Sequence, residues 1–219
     1  MTTTSTEAPA GRARTIIAVS LLVLVALVVG VLVGRVTSPG TPMPSESSAE
    51  AGFARDMQVH HAQAVEMALL VRDRTDDAEI RLLALDIATG QTQQQGQMFA
   101  WLVMWGLPQT SSAPEMEWLS RPVIDGSAGH GEHDSHTPGE PMPGVASFEQ
   151  MQALQDATGV EAERIFLELM IAHHIGGVDM AEALLARSTN PLVTPLARGM
   201  VQLQAKEIDY MSDLLADRS

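Results

Sequence analysis

Two copies of one pattern, Met-x2-His-His-x5-Met, hold the side chains best suited to chemistry in this chain. They are Met57, His60, His61 and Met67, then Met170, His173, His174 and Met180. Imidazole nitrogen and thioether sulfur are borderline and soft donors. Together, without thiolate and with few carboxylates beside them, they suit copper, Cu(I) above all, better than Ca, Mg or Mn. Zinc rarely takes methionine and prefers cysteine or carboxylate. The chain has no cysteine, so neither a thiolate ligand nor a disulfide is available. A di-iron centre in a helical bundle normally needs Glu-x-x-His pairs and bridging glutamates. No Glu or Asp stands three residues before His60 or His173, which disfavours oxidase or ferroxidase chemistry. Methionine at helical spacing is often plain core filler, and inward histidines can satisfy one another. A repeated His doublet with Met on both sides favours metal binding over a purely structural polar layer.

The two copies stand 113 residues apart, His60 to His173, and every other member keeps that offset. At the same offset, without gaps, Phe53 pairs with Phe166, Val65 with Val178, Ala68 with Ala181 and Arg74 with Arg187. Further on, Leu83 pairs with Leu196, Ala84 with Ala197, Gln91 with Gln204, Met98 with Met211, and Leu102 with Leu215. The chain is an internal duplication. The carboxylates do not respect it: Asp56 has Leu169 as counterpart, and Glu207 has Gln94.

The elements that must position these residues are helices, because apolar residues recur at helical spacing and no convincing alternating strand occurs. In the first copy the inward stripe reads Phe53, Met57, His60, Ala64, Met67, Val71. In the second it reads Phe166, Met170, His173, Gly177, Met180, Leu184. His61 and His174 lie about 100° around their helices and face the neighbouring helix or the rim. In antiparallel hairpins His60 falls level with Gln91 and His173 with Gln204. Gln91, Gln94, Gln204 and Glu207 thereby form a polar core layer with the histidines, and buried polar groups need partners.

The spacing predicts helices over 49–73, from an Asp76/Glu79 cap to about residue 106, from a Thr158/Glu161 cap to about residue 187, and after Pro191 to the C-terminus. Ser147 with Gln150 caps a further short helix. The expected fold is all-α: a ferritin-like four-helix bundle of two duplicated hairpins with a long crossover. The bundle domain covers 49–218, with repeat 1 at 49–106, the crossover at 107–146 and repeat 2 at 147–218. Trp101 and Trp105 are expected to close one end. The crossover holds His130, His133 and His136 with Met142 nearby, a candidate secondary metal site of the loose kind that His-rich tracts provide.

Residues 15–34 carry no charge and are almost wholly aliphatic. At about 1.5 Å per residue they reach the roughly 30 Å of a bilayer core. With Arg12 and Arg14 before it, this stretch is expected to be a transmembrane helix. Residues 1–14 are then cytoplasmic, 35–48 a flexible Pro/Ser/Gly/Thr linker, and the C-terminal body outside the plasma membrane. Secretion after signal-peptide cleavage is the alternative. Setting aside Arg12, Arg14, Arg35 and Glu7 leaves 10 of the 13 basic and 26 of the 27 acidic residues, a formal charge of −16. Such a body repels nucleic acid and draws cations toward it.

The stretches FARDMQVHHAQAVEMA and FLELMIAHHIGGVDMAE, with MPGVASFEQMQAL before the second, closely resemble the bacterial domain-of-unknown-function family numbered 305. The resemblance covers nearly all of residues 51–217. It implies a ferritin-like fold in an exported or membrane-anchored protein, with copper binding in some members. By position, that implication falls on Met57, His60, His61, Met67, Met170, His173, His174 and Met180. The sequence thus predicts a non-catalytic protein that sequesters, buffers or delivers copper outside the cytoplasm. Its competitors are a helical interaction module with a buried His/Gln network and a ferritin-like redox enzyme.

Overall fold

The computed structural model describes residues 10–37, 43–125, 137 and 139–218. Among them every regular element is a helix. Helix α1 (Ala10–Thr37) lies in a first compact unit, Met1–Pro42. Its described aliphatic run, 15–31, is exposed along its length. Among the described residues no helix is long and apolar enough to cross a membrane. The anchor expected over 15–34 is therefore not supported.

The second unit, Met43–Ser219, holds α2 (Ala49–Arg72), α3 (Ala78–Met104), a short 3-10 helix (Glu117–Ser120), α4 (Phe148–Asp156), α5 (Gly159–Leu185) and α6 (Thr194–Ala216). Local chemistry sets these ends. The Ser48 hydroxyl accepts from Ala51 N at 3.2 Å and opens α2. The cap of α3 is Asp77, not Asp76: one Asp77 carboxylate oxygen takes the Glu79 and Ile80 amides, each at 2.9 Å. Ser147 and Gln150 form the expected reciprocal capping box of α4. Thr158 makes no side-chain cap. The chain enters α5 through Gly159 at φ +58°, whose amide donates to Arg74 O at 2.7 Å. That bond ties the start of the second copy to the turn of the first.

Helix α2 packs along α3, α5 along α6, and α2 against α5, while α4 rests on α2 and α5. Two apolar clusters result, each drawing on all four long helices. One contains Met57, Met98, Met116, Met142, Met180 and Met200 together with Trp101 and Trp105. The other contains Met67, Met170, Met211, Phe166 and Leu154. Each cluster takes one motif methionine from each copy, as antiparallel α2 and α5 require.

The crossover is more than a connector. Its first part packs Trp118 edge-on against Phe53, ring centroids 5.8 Å apart. Asp56 Oδ2 accepts from Met116 N at 2.7 Å and Trp118 Nε1 at 2.9 Å. Its last part, residues 142–146, crosses the seam between α2 and α5 as a strap.

Candidate metal centre

Between the two apolar clusters lie His60, His61, His173 and His174, all wholly buried. The His60 and His173 rings face each other with centroids 3.7 Å apart and planes 32° from parallel. His61 sits 6.4 Å from His60 on one side, and His174 sits 6.2 Å from His173 on the other. The heptad stripe brings His60 and His173 to the α2–α5 seam. The following residue in each doublet turns toward the partner helix.

Each ring has one nitrogen engaged. His60 Nε2 donates to Pro143 O at 3.1 Å, and His173 Nε2 donates to His60 O at 2.8 Å. His61 Nε2 donates to Gln94 Oε1 at 2.7 Å, and His174 Nε2 to Glu207 Oε2 at 2.8 Å. The last two bonds are the same bond in the two copies. Every acceptor here is a carbonyl, amide or carboxylate oxygen, which has no proton to give. Each neutral ring must therefore carry its proton on Nε2. In a neutral ring Nδ1 is then a bare lone pair, and in all four rings it is buried without a hydrogen-bond partner. Gln91 Oε1 and Gln204 Oε1 are buried and unpartnered as well.

Burial keeps His60, His61 and His173 neutral. Desolvation, the largest cause, brings the His60 pKa down to about 4 and that of His61 to about 3. His173 is lowered well below its ordinary value, by desolvation first and by the neighbouring imidazoles next. Neutral imidazole is the metal-binding form.

The remaining predicted residues divide. Met57, Met67, Met170 and Met180 are fully buried, one pair in each apolar cluster that flanks the histidine layer. Gln94 and Glu207 bond the outer histidines. Gln91, Gln94, Gln204 and Glu207 line one small cavity between α3 and α6. Met142 is buried in the first cluster. His130, His133 and His136 lie outside the described residues. Among the described residues no three His, Cys, Asp or Glu side chains already stand as a coordination cluster.

Periodicity missed the strap. Pro143 supplies the acceptor for His60, and the Gln63 amide grips Ala146 through its N at 2.7 Å and its O at 2.9 Å. Gly144 has φ +74°, and a Cβ on it would strike the Ala172 carbonyl. A Cβ on Gly176 would likewise overlap the Pro143 carbonyl. The available signal was the break in the duplication where Gln63-Ala64 becomes Gly176-Gly177. Asp56 was also read only as a carboxylate without a counterpart. Burial, the largest influence, raises its pKa to about 6 despite the Met116 and Trp118 hydrogen bonds.

Fold and site together define an all-helical, internally duplicated domain with a histidine layer at its centre. Residues 50–215 match the domain-of-unknown-function family DUF305, and the chain belongs to that family. A DUF305 protein of Streptomyces coelicolor designated a secreted protein is 47% identical, over 80% of this chain and 96% of its own, with a TM-score of 0.69. A DUF305 fragment from Deinococcus radiodurans is 33% identical, over 82% and 99%, with a TM-score of 0.61. CopM in its Cu(II)-bound form shares the fold at 21% identity, over 78% and 98%, with a TM-score of 0.55. Solved structures of CopM also include Cu(I)-bound, Ag-bound and apo forms. Among curated proteins nothing matches the chain.

Proposed function

We propose that this protein binds copper without catalysis, outside the plasma membrane, and sequesters it, buffers it or hands it on. The observation that carries the reading is the set of four buried Nδ1 atoms, every one without a hydrogen-bond partner. An unmet buried donor or acceptor costs about 1–3 kcal/mol, and a sequence that places four such nitrogens in one layer has a use for them. A ring that binds metal through one nitrogen usually donates its other N–H to a carbonyl or carboxylate, and all four rings are held in that way. The same orphan nitrogens speak against a closed His/Gln network as the purpose of the layer.

The residues present fit a borderline-to-soft cation. His60, His61, His173 and His174 supply imidazole nitrogen, and Met57, Met67, Met170 and Met180 supply sulfur within the flanking clusters. Binding requires ring rotations that bring nitrogens together, and the thioethers favour Cu(I). We read the scaffold as a ferritin-like four-helix bundle formed by α2, α3, α5 and α6. CopM, which shares the fold, takes copper and silver, in accord with this reading. The Streptomyces relative's secreted designation accords with export, for which the 15–34 segment serves as anchor or leader. His130, His133, His136 and Met142 offer secondary capture.

Titration with Cu(I) and Cu(II) tests this, comparing wild type with the His60→Ala/His173→Ala double variant. Loss of the tight site in that variant is the expected result. Nitrogen NMR of the wild type gives a readout independent of the variant's folding: four Nε2–H tautomers, with the Nδ1 resonances shifting on addition of metal. Unchanged stoichiometry in the variant and unmoved Nδ1 signals together refute the proposal.

A further inference from the structure

The histidine layer is closed on most sides. Above and below it stand the two apolar clusters. Over the α2–α5 seam lies the strap, with Pro143 O on His60 and Ala146 held by Gln63. The α2–α3 and α5–α6 seams are bridged by the His61–Gln94 and His174–Glu207 bonds. Opposite the strap, between α3 and α6, a cavity of about 30 Å³ is lined by polar and charged side chains. That volume suits a water molecule or a bare ion, not an organic ligand.

The lining includes Asp86, Gly90, Gln91, Gln94, Gln204 and Glu207. Gln91 is 5% and Gln204 3% exposed, and the side-chain oxygen of each lacks a partner. Gln204 Oε1 reaches over the bare Gly177, where a Cβ would come within 2.5 Å of it, one turn beyond His173. Glu207 is 20% exposed and already holds His174, so it touches the outside and the layer at once. Asp86 is exposed and adds a second negative charge at the rim.

We propose that this cleft is the port through which a cation reaches the histidines, with Gln91, Gln204 and Glu207 oxygens as its first resting place. The inference rests on the metal-binding reading of the layer and adds a route to it. Two amide oxygens and a carboxylate form a hard, weakly holding set. A soft ion pauses there and then moves on to nitrogen and sulfur. The carboxylates raise the local cation concentration and thereby the rate of capture.

The structure offers a clean plug. A Cβ on Gly90 meets nothing within 4 Å, and the same is true of Gly96 on the same helix, outside the cleft. Gly90→Leu fills the cleft, Gly96→Leu is its control, and both gain helix propensity, so folding is safe. Uptake of Cu(I) from, and release to, a chromophoric chelator is followed by stopped flow in the full chain. Gly90→Leu is expected to slow both directions by about tenfold or more with unchanged stoichiometry. Glu207→Gln, which keeps an acceptor for His174, is expected to slow uptake several-fold, and less so at high salt. Rates in Gly90→Leu equal to those in Gly96→Leu overturn the port while His-dependent binding persists. Binding that survives His60→Ala/His173→Ala instead sinks the layer as the site, and the port with it.

Discussion

Acid should destabilise the metal-free protein from about pH 6.5 downward, because three of the four histidines are buried as neutral rings. An unfolded histidine titrates near 6.5, whereas His60 folded titrates at about 4, His61 at about 3, and His173 well below the ordinary value. Between pH 6.5 and about 4 the unfolded chain therefore holds three protons that the folded one refuses. The stability these rings contribute is complete above 6.5 and is lost as pH falls through that window. Asp56 works the other way: its folded pKa is raised from 3.8 to about 6, so acid favours its folded form over part of the same range. Three against one leaves a net uptake of two protons on unfolding, or about 2.7 kcal/mol lost per pH unit between 6 and 4. The loss reaches about 7 kcal/mol by pH 4, so a domain in the lower half of the usual range of about 5–15 kcal/mol melts out between roughly pH 5 and 4. Asp77 and Glu149, whose pKa values are lowered chiefly by backbone hydrogen bonds at helix caps, add to the loss only toward the acid end. Urea midpoints of the full chain by circular dichroism, from pH 7.5 to 4.5, measure the slope. His60→Asn should make it shallower by about 1.4 kcal/mol per unit. A flat profile, or greater stability at pH 5 than at pH 7, refutes the buried neutral rings.

The adjacent glycines of α5 should respond differently to the same substitution. Gly176→Ala drives a methyl into the Pro143 carbonyl, and strap backbone cannot yield cheaply. Its overpacking cost of about 1–3 kcal/mol exceeds the helix gain of about 1 kcal/mol, and the melting temperature falls. Gly177→Ala meets only the end of the Gln204 amide and restores the residue that the first copy has, so its melting temperature should stay close to wild type. For the sulfurs, Met57→Leu/Met180→Leu conserves volume at a cost below about 1.5 kcal/mol per site. Chelator competition should then show Cu(I) held more weakly with Cu(II) little changed; equal loss of both ions argues against thioether ligation.

The helices, the duplication and the polar layer were legible because each is written in local periodicity. A single 113-residue offset set the His61–Gln94 and His174–Glu207 bonds at equivalent positions, and the structure makes them at 2.7 and 2.8 Å. What periodicity does not encode is the path of a chain segment with no repeat of its own. The strap and the Asp56–Trp118 anchor join residues some 60 to 80 positions apart through loop backbone, and only tertiary packing decides them. Helix caps fell between these cases. Asp76 and Asp77 are both competent, and the one whose carboxylate reaches two amides takes the role.

The duplication also explains why the copies differ where they do. A single strap crossing the seam between two equivalent helices cannot meet both in the same way. Gln63 and Gly176 hold equivalent places on α2 and α5; one grips the strap through its amide, and the other recedes to let the Pro143 carbonyl in. The same logic applies on the far side, where Gln94 and Glu207 are equivalent but only one is charged. A carboxylate raises the basicity of the imidazole it holds more than an amide does, so His174 should be the stronger nitrogen donor of the outer pair. Two-fold ancestry built a layer of four rings. Departures from it at 63/176 and 94/207 seat the lid on one face and bias capture toward the other.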